Sequence, residues 1–341
     1  MFYVVCVIHG IFWLKLSTQP IISLLLFEMP AIFFCAGAAY GLQPRLQDDP
    51  QPMSPLPAYG RHLLTKAVRI LVPYWAYALS CVALMAATRA LPASTAADWL
   101  QVAWAWFNPL QAGGRHSMGM LNWHLWFVPA YLLVIALLPM AVRFGRGHRP
   151  HVALLALCVA AIEYLLSVFT PQAYYASTLT CYLAFAWFGH HWSRHQSKPE
   201  LISELRVTAA ACLAVLLVLS LGQGWGPTWA MQQHKFPPDH VFFLFGALWL
   251  SVLLLAASLT RRNGAVARPV RTLLTPFIRF GYSIYLWQGM GYWLALGVAS
   301  KLGWNSWLTW FLAVTCSVLL GCLASPFERV RIRRIRRWQA A

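Results

Sequence analysis

His9 stands alone in the run MFYVVCVIHGIFWL, with apolar residues on both sides. Imidazole is the side chain whose ordinary pKa lies near neutrality, so it can take up and return a proton at physiological pH. A single histidine on an apolar face is ordinarily a packed residue, but two more polar groups give this one weight. In LTKAVRILVPYW, Lys66 and Arg69 stand three apart on one helical face, followed by Pro73, Tyr74 and Trp75. Two cations on one face at a membrane boundary suit a polyphosphate. In MLNWHLWFVPAYLL, Asn122 and His124 lie among Trp123 and Trp126. That stretch reads either as an aromatic belt at a membrane interface or as a lip facing a sugar.

The remaining ionisable residues carry less. Glu28 and Glu163 are the acids well inside apolar runs. His190, His191 and Arg279 fall near a span's end, where snorkelling satisfies them. His190, His191 and His195 are not read as a metal site, because no carboxylate or cysteine joins them and neighbouring helical residues point about 100° apart. The eight cysteines lie inside apolar runs without a CxxC pair and read as small packing residues. Neither a metal nor a bound cofactor is expected.

The elements that must position these residues follow from composition. The chain is 60% hydrophobic and 10% charged, with a mean hydropathy of +0.57. A water-soluble domain carries about 25% charged residues, so the chain reads as an all-α integral membrane protein. A span needs about 20 mostly apolar residues. Ten segments are read as spans, one of them short: 1–14, 21–42, 68–90, 121–142, 151–169, 173–192, 205–222, 240–259, 273–299 and 305–325. They form a single domain over 1–341, a bundle of about ten transmembrane helices. The N-terminal run lacks a basic leader and a small-residue cleavage site, so it reads as a first span and not a signal peptide. Of the 26 Lys and Arg residues, 21 fall on one side of this alternation and 5 on the other. By the excess of basic residues in cytoplasmic loops, both termini are expected in the cytoplasm. The same rule explains the net charge of +17 and the tail ERVRIRRIRRW, which also attracts anionic lipid, so nucleic acid is not an expected partner.

Several stretches in order, VVCVIHG, FEMPAIFFCAGAAYG, KAVRILVPYW, NWHLWFVPAYLL, PPDHVFFLFG and FGYSIYLWQG, resemble the acyltransferase-3 superfamily of membrane acyltransferases over nearly the whole chain. The resemblance implies a core of ten helices. It also implies transfer of an acyl group, most often acetyl or succinyl, from cytoplasmic acyl-CoA to a hydroxyl of a carbohydrate, glycolipid or similar acceptor. The setting it implies is the bacterial inner membrane, with lipid all round. The family's essential histidine maps onto His9, and its pair of arginines three apart maps onto Lys66 and Arg69. Two departures stand out: a lysine opens the cationic pair, and Gln288 stands where the ninth-span motif often has histidine. On this reading His9 is the general base, Glu163 is the preferred carboxylate to orient it, Lys66 and Arg69 hold the CoA phosphates, and Tyr74 is a further substrate-binding residue. The acceptor passes Asn122 and His124. A transporter or flippase of a lipid-linked sugar or acyl donor, performing no chemistry, is the competing reading; ten spans and intramembrane prolines suit it as well.

Overall fold

In a computed structural model of the chain, the structure describes residues 1–16, 21–43, 55–88, 95–113, 119–144, 151–169, 174–195, 199–260 and 268–327. Every regular element among them is helical: α1 (Tyr3–Leu14), α2 (Ile21–Leu24), α3 (Glu28–Gly41), α4 (Pro55–Ala87), α5 (Ala96–Phe107), α6 (Phe127–Phe144), α7 (Val152–Phe169), α8 (Tyr174–His195), α9 (Pro199–Gln223), α10 (Trp225–Trp229), α11 (Met231–His234), α12 (His240–Thr260), α13 (Arg268–Leu302) and α14 (Ser306–Ala324). Two short 3₁₀ turns, Gly119–Leu121 and Trp123–Trp126, precede α6. A chain this apolar has only lipid to face. Helices satisfy every backbone group internally, which a lipid solvent demands.

Seven described segments are long and apolar enough to cross a membrane: Ile22–Gly41, His62–Ala87, Gly119–Phe144, Val152–Phe169, Glu200–Gln223, His240–Ser258 and Ser306–Ala324. They match seven of the ten expected spans, and the other three differ for separate reasons. The 12-residue α1 is about 18 Å long at 1.5 Å per residue, short of a hydrocarbon layer of about 30 Å. At 22 residues α8 is long enough, but it spends many of them on Tyr, Thr, Ser, His and Arg. The 35-residue α13 begins with arginines and is kinked at Phe280, four residues after Pro276.

The chain divides into two compact units, each assembled from separated stretches. The first comprises Met1–Ser17, Gly60–Leu132 and Val266–Ala341; the second comprises Thr18–Tyr59 and Leu133–Ala265. Within the first, α13 and α14 form an antiparallel hairpin. Gly303, at φ +62°, supplies the left-handed turn after α13, and the Asn305 side chain caps α14 by accepting from the Leu308 N–H at 2.9 Å. Tyr74 and Trp75 of α4 donate to the carbonyls of Trp106 and Phe107 at 2.7 and 3.0 Å, fastening the end of α5.

Within the second unit, α3 and α8 pack through glycines. A Cβ at Gly37 would land on the backbone of Ala186, and one at Gly189 on the backbone of Phe34. Small residues at matching heights let two backbones meet, which is how helices associate where lipid removes the hydrophobic drive. The buried stripe of α8, Thr178, Cys181, Tyr182, Phe185, Ala186 and Gly189, has the spacing of one helical face.

Candidate active site

The N-terminal helix starts in the wider π form over Tyr3–Ile8 and tightens to α geometry at His9. A π turn frees backbone carbonyls for outside donors, and such turns recur at functional sites. Here Tyr292 of α13 donates to the Val5 carbonyl at 2.9 Å and the Trp310 indole of α14 to that of Cys6 at 2.7 Å. Gly10 has no room for more, since an added Cβ would lie 2.5 Å from the Trp310 ring. The helix that carries His9 is therefore held by the α13–α14 hairpin.

His9 Nδ1 lies 2.6 Å from Gln288 Oε1. A carbonyl oxygen only accepts, so Nδ1 carries the hydrogen and Nε2 is the bare nitrogen. The His9 ring stacks on Trp13, with centroids 4.3 Å apart and planes within 9°. Trp13 meets the His124 ring edge-on at 6.1 Å, and Tyr77 and Tyr285 meet His124 at 5.7 and 5.4 Å. Gly289 permits this crowding, because a Cβ there would run into the His124 and Tyr77 side chains. His124 Nε2 donates to the Leu286 carbonyl at 3.0 Å, and the Tyr285 hydroxyl donates to the His124 carbonyl. Trp287 meets Tyr77 at 5.6 Å and, with Trp75, Leu79, Phe107 and Leu323, lines an apolar pocket of about 530 Å³.

The stretch that carries Asn122 and His124 divides its residues between interior and surface. Leu121, at the end of the first 3₁₀ turn, and His124, in the second, are buried at 2% exposure each, while Trp123 is 53% exposed. Trp123 has the exposure of a belt residue and His124 belongs to the interior. Asn122 is buried too, its Oδ1 accepting from the Gly113 N–H at 2.9 Å.

Lys66 and Arg69 lie on α4, Lys66 half-buried and Arg69 exposed. His62, one turn before Lys66, stands close enough to interact with it. The sequence held this signal as an i, i+4 spacing. Tyr74 is fully buried, and its hydroxyl goes to the Trp106 carbonyl.

Glu163 belongs to the second unit, whereas the partner given to His9 in its own unit is an amide. Glu163 is 0% exposed on α7, beside Ser177 and near Asp239, without a hydrogen bond of ordinary geometry among the described residues. The same unit buries an ion pair that sequence reasoning missed. The chain breaks between α2 and α3, Glu28 opens α3, and the Lys235 ammonium donates to Glu28 Oε1. Next to Lys235, Asp239 caps α12 by accepting from the N–H groups of Val241 and Phe242 at 2.9 and 3.0 Å. Its other oxygen lies 2.6 Å from His234 Nδ1. Burial pushes the His234 imidazole down, but Asp239 and the Pro227 carbonyl outweigh it and raise the pKa above the ordinary histidine value.

A family described as an acyltransferase domain matches residues 1–325. No curated protein and no solved structure matches the chain. With a family match over nearly its whole length, a bundle of apolar helices and a histidine seated among aromatic rings, the chain belongs to the acyltransferase-3 family of membrane acyltransferases.

Proposed function

We propose that the protein moves an acyl group, acetyl or succinyl, from cytoplasmic acyl-CoA to a hydroxyl of a carbohydrate or glycolipid at the bacterial inner membrane. The observation that carries this reading is the His9–Gln288 hydrogen bond, which leaves His9 Nε2 free of hydrogen in an aromatic enclosure. A sugar hydroxyl is a poor nucleophile at neutral pH, and a positioned base contributes about 10²–10⁴-fold. As Nε2 takes the hydroxyl proton, the oxygen bonds to the thioester carbon and the carbonyl electron pair moves to oxygen. The tetrahedral centre then collapses, the C–S bond breaks, and the imidazolium returns its proton to the departing thiolate. The products are an ester, free CoA thiol and neutral His9.

The test is to incubate purified protein with acetyl-CoA or succinyl-CoA and isolated envelope glycans, following free thiol and the mass of the glycans. Acyl-dependent thiol release with a matching gain in glycan mass is expected. Glycan movement without thiol release would indicate a carrier instead.

The donor clamp is assigned to Lys66 and Arg69, with His62 beside them. Arg69→Ala is expected to abolish transfer, since arginine alone offers phosphate a two-pronged grip. Lys66→Ala is expected to raise KM for acyl-CoA more than it lowers kcat. Unchanged acyl-CoA affinity in the double variant, measured by equilibrium binding, removes the clamp.

Orientation completes the reading. On this reading α8, α13 and the shorter α1 join the seven more apolar segments as crossings, and the split of 21 basic residues to 5 assigns both termini to the cytoplasm. Reporter fusions after Arg262 and after Ala341 are expected to read cytoplasm, and one near Gly113 the opposite side. A reversed reading at any of the three breaks the assignment.

A further inference from the structure

Two contacts fix the His9 imidazole in space. Trp13 sets the plane of the ring by stacking on it, and Gln288 sets its rotation within that plane by accepting from Nδ1. Gln288 is 0% exposed on α13, and its amide nitrogen meets no acceptor among the described residues. Packing alone has no use for an amide there. An apolar side chain of the same length would fill the space without burying an unmatched donor.

We propose that Gln288 is the positioning residue of the transfer reaction: it holds His9 in the Nδ1–H tautomer, which leaves the hydrogen off Nε2, while bringing no charge to the site. The proposal rests on His9 being the base. The absence of charge is the functional point. A carboxylate at this place would hold the imidazole in its charged form, which has no lone pair at Nε2 and cannot take a proton. An amide orients the ring equally well and leaves it neutral between turnovers. Tyr285 of α13 meets the ring at 6.4 Å between centroids, His124 and Tyr292 meet its stacking partner Trp13, and Cys6 lies one turn before it on its own helix.

The experiment compares wild type, Gln288→Met, Gln288→Glu and His9→Gln by thiol release across pH 5–9. Gln288→Met keeps the length and removes the acceptor. Its kcat is expected to fall about 10²-fold, the cost of a misplaced catalytic group, with KM for acyl-CoA nearly unchanged. Gln288→Glu keeps the acceptor and adds charge. It is expected to retain activity at high pH, with the acid limb of the kcat/KM profile displaced upward by about one pH unit or more. A merely structural glutamine predicts no such displacement. Wild-type kcat in a folded Gln288→Met protein, or an unmoved acid limb in Gln288→Glu, overturns the proposal. If Gln288→Met does not fold, the acid limb of Gln288→Glu decides alone. Normal turnover in His9→Gln overturns instead the reading of His9 as base, and the two failures are separately visible.

Discussion

Replacing His9 with glutamine is expected to leave a protein that inserts, folds and binds acyl-CoA, yet transfers at least about 10²-fold more slowly, the low end of general-base catalysis. Glutamine keeps much of the volume, and its amide can still meet Gln288, so the α1 contacts through Val5 and Cys6 to Tyr292 and Trp310 persist. What it cannot do is accept a proton near neutral pH. The wild-type rate is expected to fall as pH drops through the imidazole's range, and the variant's residual rate to lack that limb. Thermal unfolding in detergent and equilibrium acyl-CoA binding separate a folded, slow enzyme from a damaged one. A folded His9→Gln protein with near-normal turnover makes His9 a packing residue.

The residues now grouped round His9 were legible in the sequence to very different degrees. His9 itself was conspicuous because an imidazole in an apolar run is costly and needs a reason. Seven spans were legible because hydropathy summed over 18 residues needs no knowledge of neighbours. The other three fall short for local reasons, α1 in length, α8 in polar content and α13 in its arginine-bearing, kinked start, and what holds α8 and α1 in place is pairwise. Matched glycines seat α8 against α3, and Tyr292 and Trp310 reach α1 from elsewhere in the chain, so neither helix advertises its partner locally.

Pairings at long separation were not legible at all. Gln288 lies 279 residues from His9 and Lys235 lies 207 from Glu28, and nothing in spacing or composition links either pair. Reasoning from chemical type alone chose Glu163 to orient His9, because a carboxylate is the usual partner for a working imidazole. Within the unit that holds His9, its hydrogen-bond partner is the uncharged Gln288, which the sequence marks only as a departure from the family motif. In the sequence Lys235 is one of the five basic residues on the less basic side of the span alternation, with nothing to mark it as buried. Its burial at 6% exposure depends on where the segment before α12 folds, which hydropathy cannot report.

Replacing Lys235 with methionine is expected to destabilise the protein by about 3–5 kcal/mol, the cost of leaving a buried charge without its partner. Glu28 is 3% exposed at the break before α3, where lipid and protein supply no water to replace the ammonium. The pair itself need not be strongly stabilising. Desolvating two ions costs several kcal/mol each, and their attraction returns about as much. The double variant Lys235→Met, Glu28→Leu is therefore expected to recover most of the lost stability, so that the two changes are far from additive. Thermal unfolding in detergent measures all four corners of the cycle. Equal losses in the single and double variants would mean that Lys235 acts through its packing and not through Glu28. Transfer by the double variant adds a second reading. The pair joins the broken start of α3 to the segment preceding α12, within a unit that does not contain His9. A stable double variant that still transfers acyl groups assigns the pair to holding that unit together, whereas a stable but inactive one gives the pair a part in the reaction.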